Sequence, residues 1–169
     1  MPDDLSMQAA ESTVFAQLDA LSVRYERMAC DPALADTEQF CAHYGIDPGS
    51  SGNTIIVASR KEPRVFSAAC VTANQRLDVN KTMRKLMGVR KLSFASGEDT
   101  VALTGMLIGG VTLFGLPEDL SKYIDPRLLD LPEIVIGGGS RSCKLRLHPS
   151  ELRKIPNLEV VPGLALSRD

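Results

Sequence analysis

The chain has 169 residues, of which 44% are apolar and 24% charged, and this composition suits one globular domain and excludes two full-sized ones. Its apolar runs are only a few residues long and its first residues lack a basic start, so we expect neither a membrane span nor a secretory signal and predict a cytoplasmic protein. The formal net charge is −2, so any basic surface must be local.

The first part of the chain mixes helical and extended patterns. Apolar residues at helical spacing predict an amphipathic helix over residues 5–22, and a short strand should follow over residues 25–30. Asp36 with Gln39 three residues later is a helix-start pattern, which predicts a second helix that ends at Gly45. Two β-rich runs, NTIIVAS and RVFSAACV, flank a charged RKEP turn and predict an antiparallel hairpin.

The second part of the chain also mixes helical and extended patterns. LDVNKTMRKLMG predicts a helix that ends at Gly88, with one apolar face formed by Val79, Met83, Leu86 and Met87. KLSFAS predicts a strand and GEDTVALTG a short helix opened by acidic residues. EIVIGGGSRSCKLRLHPSEL predicts a strand, a glycine turn, a second strand and a helix from about Pro149. Because the strands follow one another closely, a mostly antiparallel α+β fold is favoured over a doubly wound parallel sheet.

The motifs of common catalytic sites are missing. The sequence has no G-x-S-x-G, H-E-x-x-H, Walker loop or strand-borne G-x-G-x-x-G. His43 and His148 are single and far apart, and we interpret them as helix-face or capping residues. We expect free, mostly buried thiols at all four cysteines, Cys30, Cys41, Cys70 and Cys143. We therefore expect no protein nucleophile and no metal.

A local basic surface is predicted in spite of the negative net charge. Lys81, Arg84 and Lys85 are spaced i, i+3, i+4, so they project from one helix face opposite Met83 and Leu86. Such a ridge can bind phosphate, or it can be an ordinary solvated helix face.

Two glycine-rich segments, TGMLIGGVTLFG at residues 104–115 and IGGGSRS at residues 136–142, also allow two interpretations. Glycine lets a ligand approach the backbone N–H and C=O groups directly, which suits recognition of a ribose, a base or a phosphate. The alternative is a tight turn or a bulge between strands.

These segments resemble a known family. TGMLIGGVTLFG is similar to the T-G-Y-x-x-G-G-x-S-P-x-G segment of the YbaK/EbsC family, the single-domain relatives of the insertion editing domain of bacterial prolyl-tRNA synthetase. NTIIVAS, RLDVNKTMRKLMG, YIDPRLL and EIVIGGGSRSCKLRLHPSEL recur in the same order, so the resemblance covers roughly residues 28–155.

The resemblance implies one editing domain over residues 1–169, built as an α+β fold on a strongly curved, barrel-like mixed sheet. The implied activity is a trans-editing hydrolase of translation that cleaves the ester of a mischarged tRNA without a protein nucleophile and with no cofactor. The implied partners are the tRNA acceptor end and an aminoacyl-tRNA synthetase, with no membrane and no DNA.

The resemblance also assigns site residues. It implies catalytic roles for Asn53, Thr54, Gly105 and Lys144. It implies substrate-binding roles for Met28, Met106, Ile108, Gly109, Gly110, Thr112, Gly137, Gly138 and Gly139. In the family the glycine loop receives the terminal adenosine, and backbone amides help to stabilise the ester carbonyl. The basic ridge of Lys81, Arg84 and Lys85 is placed near the tRNA backbone on charge alone.

Several positions depart from the family pattern. The characteristic Lys-Thr pair reads Asn53-Thr54, and the S-P of the glycine loop reads Thr112-Leu113. The acidic residue of cysteinyl-editing members falls on Lys144, their small serine on Gly137, and their pocket tyrosine on Met28. Asn53 keeps hydrogen-bond donors at shorter reach, and we expect Lys144 to restore the charge from the opposite wall.

Three functions stay open at this point. The first is a trans-editing deacylase with a substrate of its own. The second is a protein that keeps the fold and binds tRNA ends or a small ligand without hydrolysis. The third is a binding module for a small molecule or a protein, which uses an apolar pocket around Met106, Ile108 and Leu113.

Overall fold

Helices and three β-sheets are mixed along the chain in a computed structural model that describes residues 4–168, with side chains from residue 7 onward. The α-helices are α1 (Asp4–Ala20), α2 (Thr37–Tyr44), α3 (Arg84–Met87), α4 (Gly97–Thr104) and α5 (Pro126–Leu129). The strands are β1 (Glu26–Ala29), β2 (Gly52–Ser59), β3 (Phe66–Thr72), β4 (Gln75–Leu77), β5 (Leu92–Phe94), β6 (Ser121–Ile124), β7 (Ile134–Gly137), β8 (Cys143–Leu147), β9 (Leu158–Val160) and β10 (Ala165–Ser167). Short 3₁₀ turns lie at Pro32–Leu34, Pro48–Ser50 and Pro149–Lys154, and a π-helical turn at Val79–Met83 precedes α3.

The largest sheet has the strand order β5-β2-β3-β6-β9. β2 pairs antiparallel with both β3 and β5, whereas β3, β6 and β9 are parallel neighbours. β1, β8 and β7 form an antiparallel sheet, and β10 and β4 form a third. A parallel bridge between Ser51 and Val135 joins the start of β2 to β7. The α+β class is thus confirmed, and no closed barrel is found among the described residues.

Apolar side chains cover both faces of the β2–β3 hairpin. Successive residues of a strand point to opposite faces. Ile56 and Cys70 accordingly pack in one cluster with Val14 of α1, while Val57 and Val71 pack in a second cluster on the other side. This double burial explains why both strands read as nearly continuous apolar runs.

Most of the predicted local structure is confirmed. The helices α1, α2 and α4, the β2–β3 and β7–β8 hairpins and the helix ends at Gly45 and Gly88, both with positive φ, lie where the patterns placed them. The helix predicted from Pro149 is a 3₁₀ turn, and the helix predicted over LDVNKTMRKLMG is a π-helical turn followed by α3. The predicted helix start at Asp36 is confirmed, but without a side-chain cap. Asp36 occupies the N-cap of α2, but its side chain caps no N–H, because it pairs with Arg141 instead.

The cysteine and histidine interpretations are also confirmed. All four cysteines are free and buried. His148 caps the 3₁₀ turn by accepting from the Ser150 N–H at 3.1 Å, and His43 is an exposed residue of α2. None of the helices in the described range is long and apolar enough to cross a membrane.

Candidate active site

A cavity of about 360 Å³ opens between β2, the start of α2 and the two glycine-rich segments. The structure brings six of the predicted site residues to its lining: Asn53, Thr54, Ile108, Gly109, Gly137 and Lys144. Residues from four separate parts of the chain therefore line one cavity.

Asn53 and Thr54 reach the cavity from the first residues of β2. Thr54 is buried opposite Cys70 of β3, and complete burial raises the pKa of the Cys70 thiol to about 12. The Oδ1 atom of Asn53 accepts a long hydrogen bond of 3.5 Å from the Thr37 hydroxyl. The Nδ2 group of Asn53 remains as a donor at the cavity wall.

Lys144 contributes a buried ammonium to the opposite wall. It lies on β8, directly across from Met28 on β1, and only 5% of it is exposed. Its Nζ donates to the carbonyl oxygens of Ala35 at 2.8 Å and Gly109 at 2.6 Å, and lies 5.0 Å from the centre of the Phe40 ring. Two of its three donors are thus engaged. Burial lowers the pKa of Lys144, because the charged form is desolvated.

Two cations hold the first glycine segment. Nη1 of Arg141 donates to the Ile108 carbonyl at 2.6 Å, and Lys144 donates to the next carbonyl, that of Gly109. Because a trans peptide places its N–H opposite its C=O, the Gly109 N–H points away from Arg141. Within residues 4–168 this N–H has no hydrogen-bond partner. Arg141 also donates to Asp36 at 2.9 Å, and so ties the start of α2 to the same turn.

Close packing accounts for the glycines at which the two segments meet. A Cβ at Gly110 would overlap the backbone of Ser140, and one at Gly137 would lie 2.6 Å from the Gly110 carbonyl oxygen. The N–H groups of Gly110, Gly138 and Gly139 donate to backbone carbonyls within the two segments and at Cys143. The segments can therefore pack against each other only if these positions lack side chains.

Helix α1 supports the second glycine segment from outside. Oε2 of Glu11 accepts from the hydroxyls of Ser140 at 2.8 Å and Ser142 at 3.2 Å. Sequence reasoning missed this role because only the tertiary fold brings α1 to the β7–β8 turn.

The remaining predicted substrate-binding and catalytic residues lie outside the cavity lining. Met106 and Leu113 are core residues, each 1% exposed, and Gly105 is the exposed C-cap of α4. Met28 packs with the Phe40 cluster, and Thr112 is fully buried with a hydroxyl that has no hydrogen-bond partner. The structure thus does not bring these residues to the cavity.

Several other lining residues were not anticipated, among them Thr100, Phe94 and Arg168. Thr100 on α4 is 1% exposed, and its hydroxyl has no hydrogen-bond partner among the described residues. Phe94 at the end of β5 and Arg168 after β10 stand at the cavity mouth. No local motif marks these residues, and the positions of Phe94 and Arg168 depend on the long-range pairing of β5 with β2 and of β10 with β4.

The predicted basic ridge is exposed, as its spacing indicated, with Met83 buried on the opposite side. Lys81 lines a groove of about 820 Å³ that adjoins the cavity, whereas Arg84 and Lys85 do not.

The family model of the aminoacyl-tRNA editing domain matches residues 31–155. The chain belongs to the aminoacyl-tRNA editing domain family. The matched range contains every residue of the cavity lining except Arg168.

Solved structures share the fold. A crystal structure of a hypothetical protein has a TM-score of 0.78 at 23% identity, and the alignment covers 91% of this chain and 99% of the other. A structure described as a proposed trans-editing enzyme for prolyl-tRNA synthetase has a TM-score of 0.76 at 24% identity, with coverage of 90% and 95%. A longer protein from Marinobacter aquaeolei VT8, described as a proposed signal transduction protein, has a TM-score of 0.58 at 14% identity, with coverage of 98% of this chain and 31% of its own.

Proposed function

We propose that residues 1–169 form a single domain that acts as a trans-editing aminoacyl-tRNA deacylase. It would hydrolyse the ester that links a wrong amino acid to the 3′ adenosine of a tRNA. The family supports tRNA as the substrate, and one structurally similar protein is itself described as a trans-editing enzyme. Delivery of the tRNA by a synthetase and a cytoplasmic location are further predictions of this proposal.

The observation that carries the proposal is the ammonium of Lys144 in the cavity wall. A buried charge is costly unless its surroundings fix it. Here the carbonyls of Ala35 and Gly109 hold Nζ in place and leave one N–H free. An oriented donor of this kind stabilises negative charge that develops in a transition state, because it needs no reorganisation when the charge appears.

The reaction that suits this site uses water as the nucleophile. No histidine or cysteine lines the cavity within the described residues. The water oxygen would bond to the ester carbonyl carbon, and the carbonyl oxygen would take up negative charge. The bond from that carbon to the ribose oxygen would then break, with one proton of the water ending on the ribose oxygen. The products are the free amino acid and the uncharged tRNA.

Three groups could stabilise the developing oxyanion: the free N–H of Lys144, the N–H of Gly109 and Nδ2 of Asn53. Lys144 and Asn53 stand on opposite walls of the cavity. The family pattern has a lysine at the position of Asn53 on β2, whereas in this chain the positive charge would come from Lys144 on β8. In this proposal Lys144 takes the electrostatic role and Asn53 a positioning role.

The second candidate function, binding of tRNA ends or of a small ligand without hydrolysis, is favoured by one observation. Asn53 stands where the family pattern has lysine, and the loss of one oxyanion donor costs about 2–4 kcal/mol of transition-state stabilisation.

A deacylation assay separates the two candidates. Transfer RNAs charged with cysteine, alanine, serine and proline would be incubated with wild type and with Asn53→Lys. Turnover by wild type supports the deacylase and identifies its substrate. No turnover by wild type with turnover by Asn53→Lys would support binding without hydrolysis, and inactivity of both proteins on the whole panel would contradict the deacylase for these four amino acids.

A further inference from the structure

An exposed aromatic side chain stands at the mouth of the cavity. Phe94 is 59% exposed, although it ends a strand whose first residue, Leu92, is buried. Phe94 lines both the cavity and the adjoining groove, and so do Asn53, Ile55 and Arg168. The groove therefore begins where the cavity opens, with an aromatic ring at the junction.

The groove carries cations that are not neutralised. Arg76, Lys81 and Arg168 line it, all three are exposed, and none of them forms an ion pair within the described part of the chain. Asp78 is the one acidic residue among the described lining residues. Its carboxylate already accepts hydrogen bonds from the backbone N–H of Lys81 at 3.2 Å and from the Thr82 hydroxyl at 2.9 Å.

Strand pairing fixes the two arginines. β10 runs antiparallel to β4, so that Leu166 lies opposite Arg76. Nε of Arg76 donates to the Ser167 carbonyl at 3.4 Å, and Nε of Arg168 donates to the Gln75 carbonyl at 3.1 Å. Each guanidinium is thus anchored through Nε, and its two terminal nitrogens can bind an anion.

Gln75 adds a polar group to the same groove. Its Oε1 is buried and has no hydrogen-bond partner among the described residues. An amide oxygen in this position can accept from a ribose hydroxyl or from a base amino group.

We propose that this groove is a binding subsite for the single-stranded nucleotides that precede the 3′ adenosine of a tRNA. A base stacks on Phe94, and the phosphates next to it pair with Arg168, Lys81 and Arg76. An aromatic platform beside a cationic groove is the usual arrangement for binding single-stranded nucleic acid. The proposal rests on the proposed function, because it places the 3′ adenosine in the cavity beside Asn53. It also replaces Arg84 and Lys85 of the predicted ridge by Arg76 and Arg168.

Binding of an uncharged RNA tests the subsite without any chemistry. The probe is a short single-stranded RNA that ends in CCA and carries a fluorescent 2-aminopurine beside the 3′ adenosine. Anisotropy of an end label gives Kd over a range of salt concentrations, and quenching of 2-aminopurine reports stacking. Wild type should quench the fluorophore and should bind less tightly as salt rises.

The variants separate stacking from charge. Phe94→Ala should abolish the quenching and raise Kd roughly 5- to 150-fold without changing the salt dependence. Arg168→Gln and Lys81→Gln should each reduce the slope of log K against log salt by about 0.7, the value for one phosphate contact to a single strand. A variant that merely lost its fold would not lower the slope of log K against log salt by the value of a single phosphate contact.

Matched controls lie at the other end of β2. Arg90 is an exposed cation and Val65 a 44% exposed apolar residue, and both lie near Ser59, about 20 Å along the strand from Asn53. Arg90→Gln and Val65→Ala should bind RNA as wild type does. Arg84→Gln should also leave the slope unchanged, because Arg84 does not line the groove.

The outcomes distinguish this subsite from the proposed function. Wild-type RNA binding with unchanged Kd and slope in Phe94→Ala and Arg168→Gln would overturn the subsite, and so would an equal slope change in Arg90→Gln. No RNA binding by wild type would overturn it as well. The expected binding pattern in a protein that deacylates no charged tRNA would support the subsite and contradict the deacylase.

Discussion

Replacing Lys144 by methionine separates a catalytic ammonium from a merely structural one. Methionine fills a similar volume but has neither the charge nor the N–H donors. The carbonyl oxygens of Ala35 and Gly109, which Nζ contacts at 2.8 and 2.6 Å, would lose their donor. The side chain is only 5% exposed, so water can replace these bonds poorly.

The expected loss of stability is moderate. Each buried carbonyl left without a donor costs about 1–3 kcal/mol. Folding of the variant, however, no longer removes a charged ammonium from water. The lowered pKa of Lys144 shows that this desolvation opposes the charged form in wild type. We expect a net loss of about 2 kcal/mol in the free energy of unfolding, which corresponds to a fall of about 4–8 °C in Tm for a chain of this size. The expected loss of activity is larger, about 10²- to 10³-fold in kcat, as for removal of one oxyanion donor.

Lys122 provides a matched control. It is 3% exposed, its Nζ donates to the carbonyls of Pro117 at 3.0 Å and Leu120 at 2.9 Å, and burial lowers its pKa too. It lies outside the cavity lining, so Lys122→Met should lose stability to a similar extent and keep its deacylase activity. Thermal unfolding and single-turnover deacylation of both variants check this. Equal stability losses with wild-type rates in Lys144→Met would refute the catalytic role of the ammonium.

Packing and burial lead to three other expected outcomes. In urea unfolding, Gly110→Ala should cost about 3 kcal/mol or more, because its Cβ would overlap the Ser140 backbone, whereas Gly88→Ala, with open space around it, should cost only about 1 kcal/mol. Thr100→Val should raise the free energy of unfolding by up to about 1 kcal/mol, because the hydroxyl is buried without a partner, and a clear loss of stability would show that this hydroxyl is hydrogen-bonded. The pKa of Cys70, about 12, exceeds its ordinary 9.0, so the folded state binds more protons above pH 9 and stability should fall as pH rises from 9 to 12; iodoacetamide at pH 8 should label thiols only in denaturant.

Local patterns predicted the longer elements of the fold. α1 and the β2–β3 hairpin follow from helical spacing and from two β-rich runs around a charged turn. β4 and β10 escaped prediction, since each has three residues and is held by pairing with a distant segment. The Asp36 pattern predicted the start of α2 correctly. It could not show that the Asp36 carboxylate pairs with Arg141 rather than capping the helix, because Arg141 is distant in sequence.

Some residues of the candidate site could likewise be selected from the sequence, and others could not. Resemblance along the sequence was enough to select Asn53, Thr54 and Lys144, and the structure places them in one cavity. Phe94 and Arg168 could not be selected, since an exposed phenylalanine and a surface arginine carry no pattern of their own.

The sequence by itself determined the fold class, the family and the free thiols, because these depend on composition, periodicity and motifs that neighbouring residues share. Only the tertiary structure decided which side chains meet at the cavity. The ammonium of Lys144 is held by the carbonyl of Ala35, shortly before α2, and by the carbonyl of Gly109 in the first glycine-rich segment. These residues lie 109 and 35 positions away in the chain. Contacts over such separations are set by how the sheets and loops pack, and no local pattern records them.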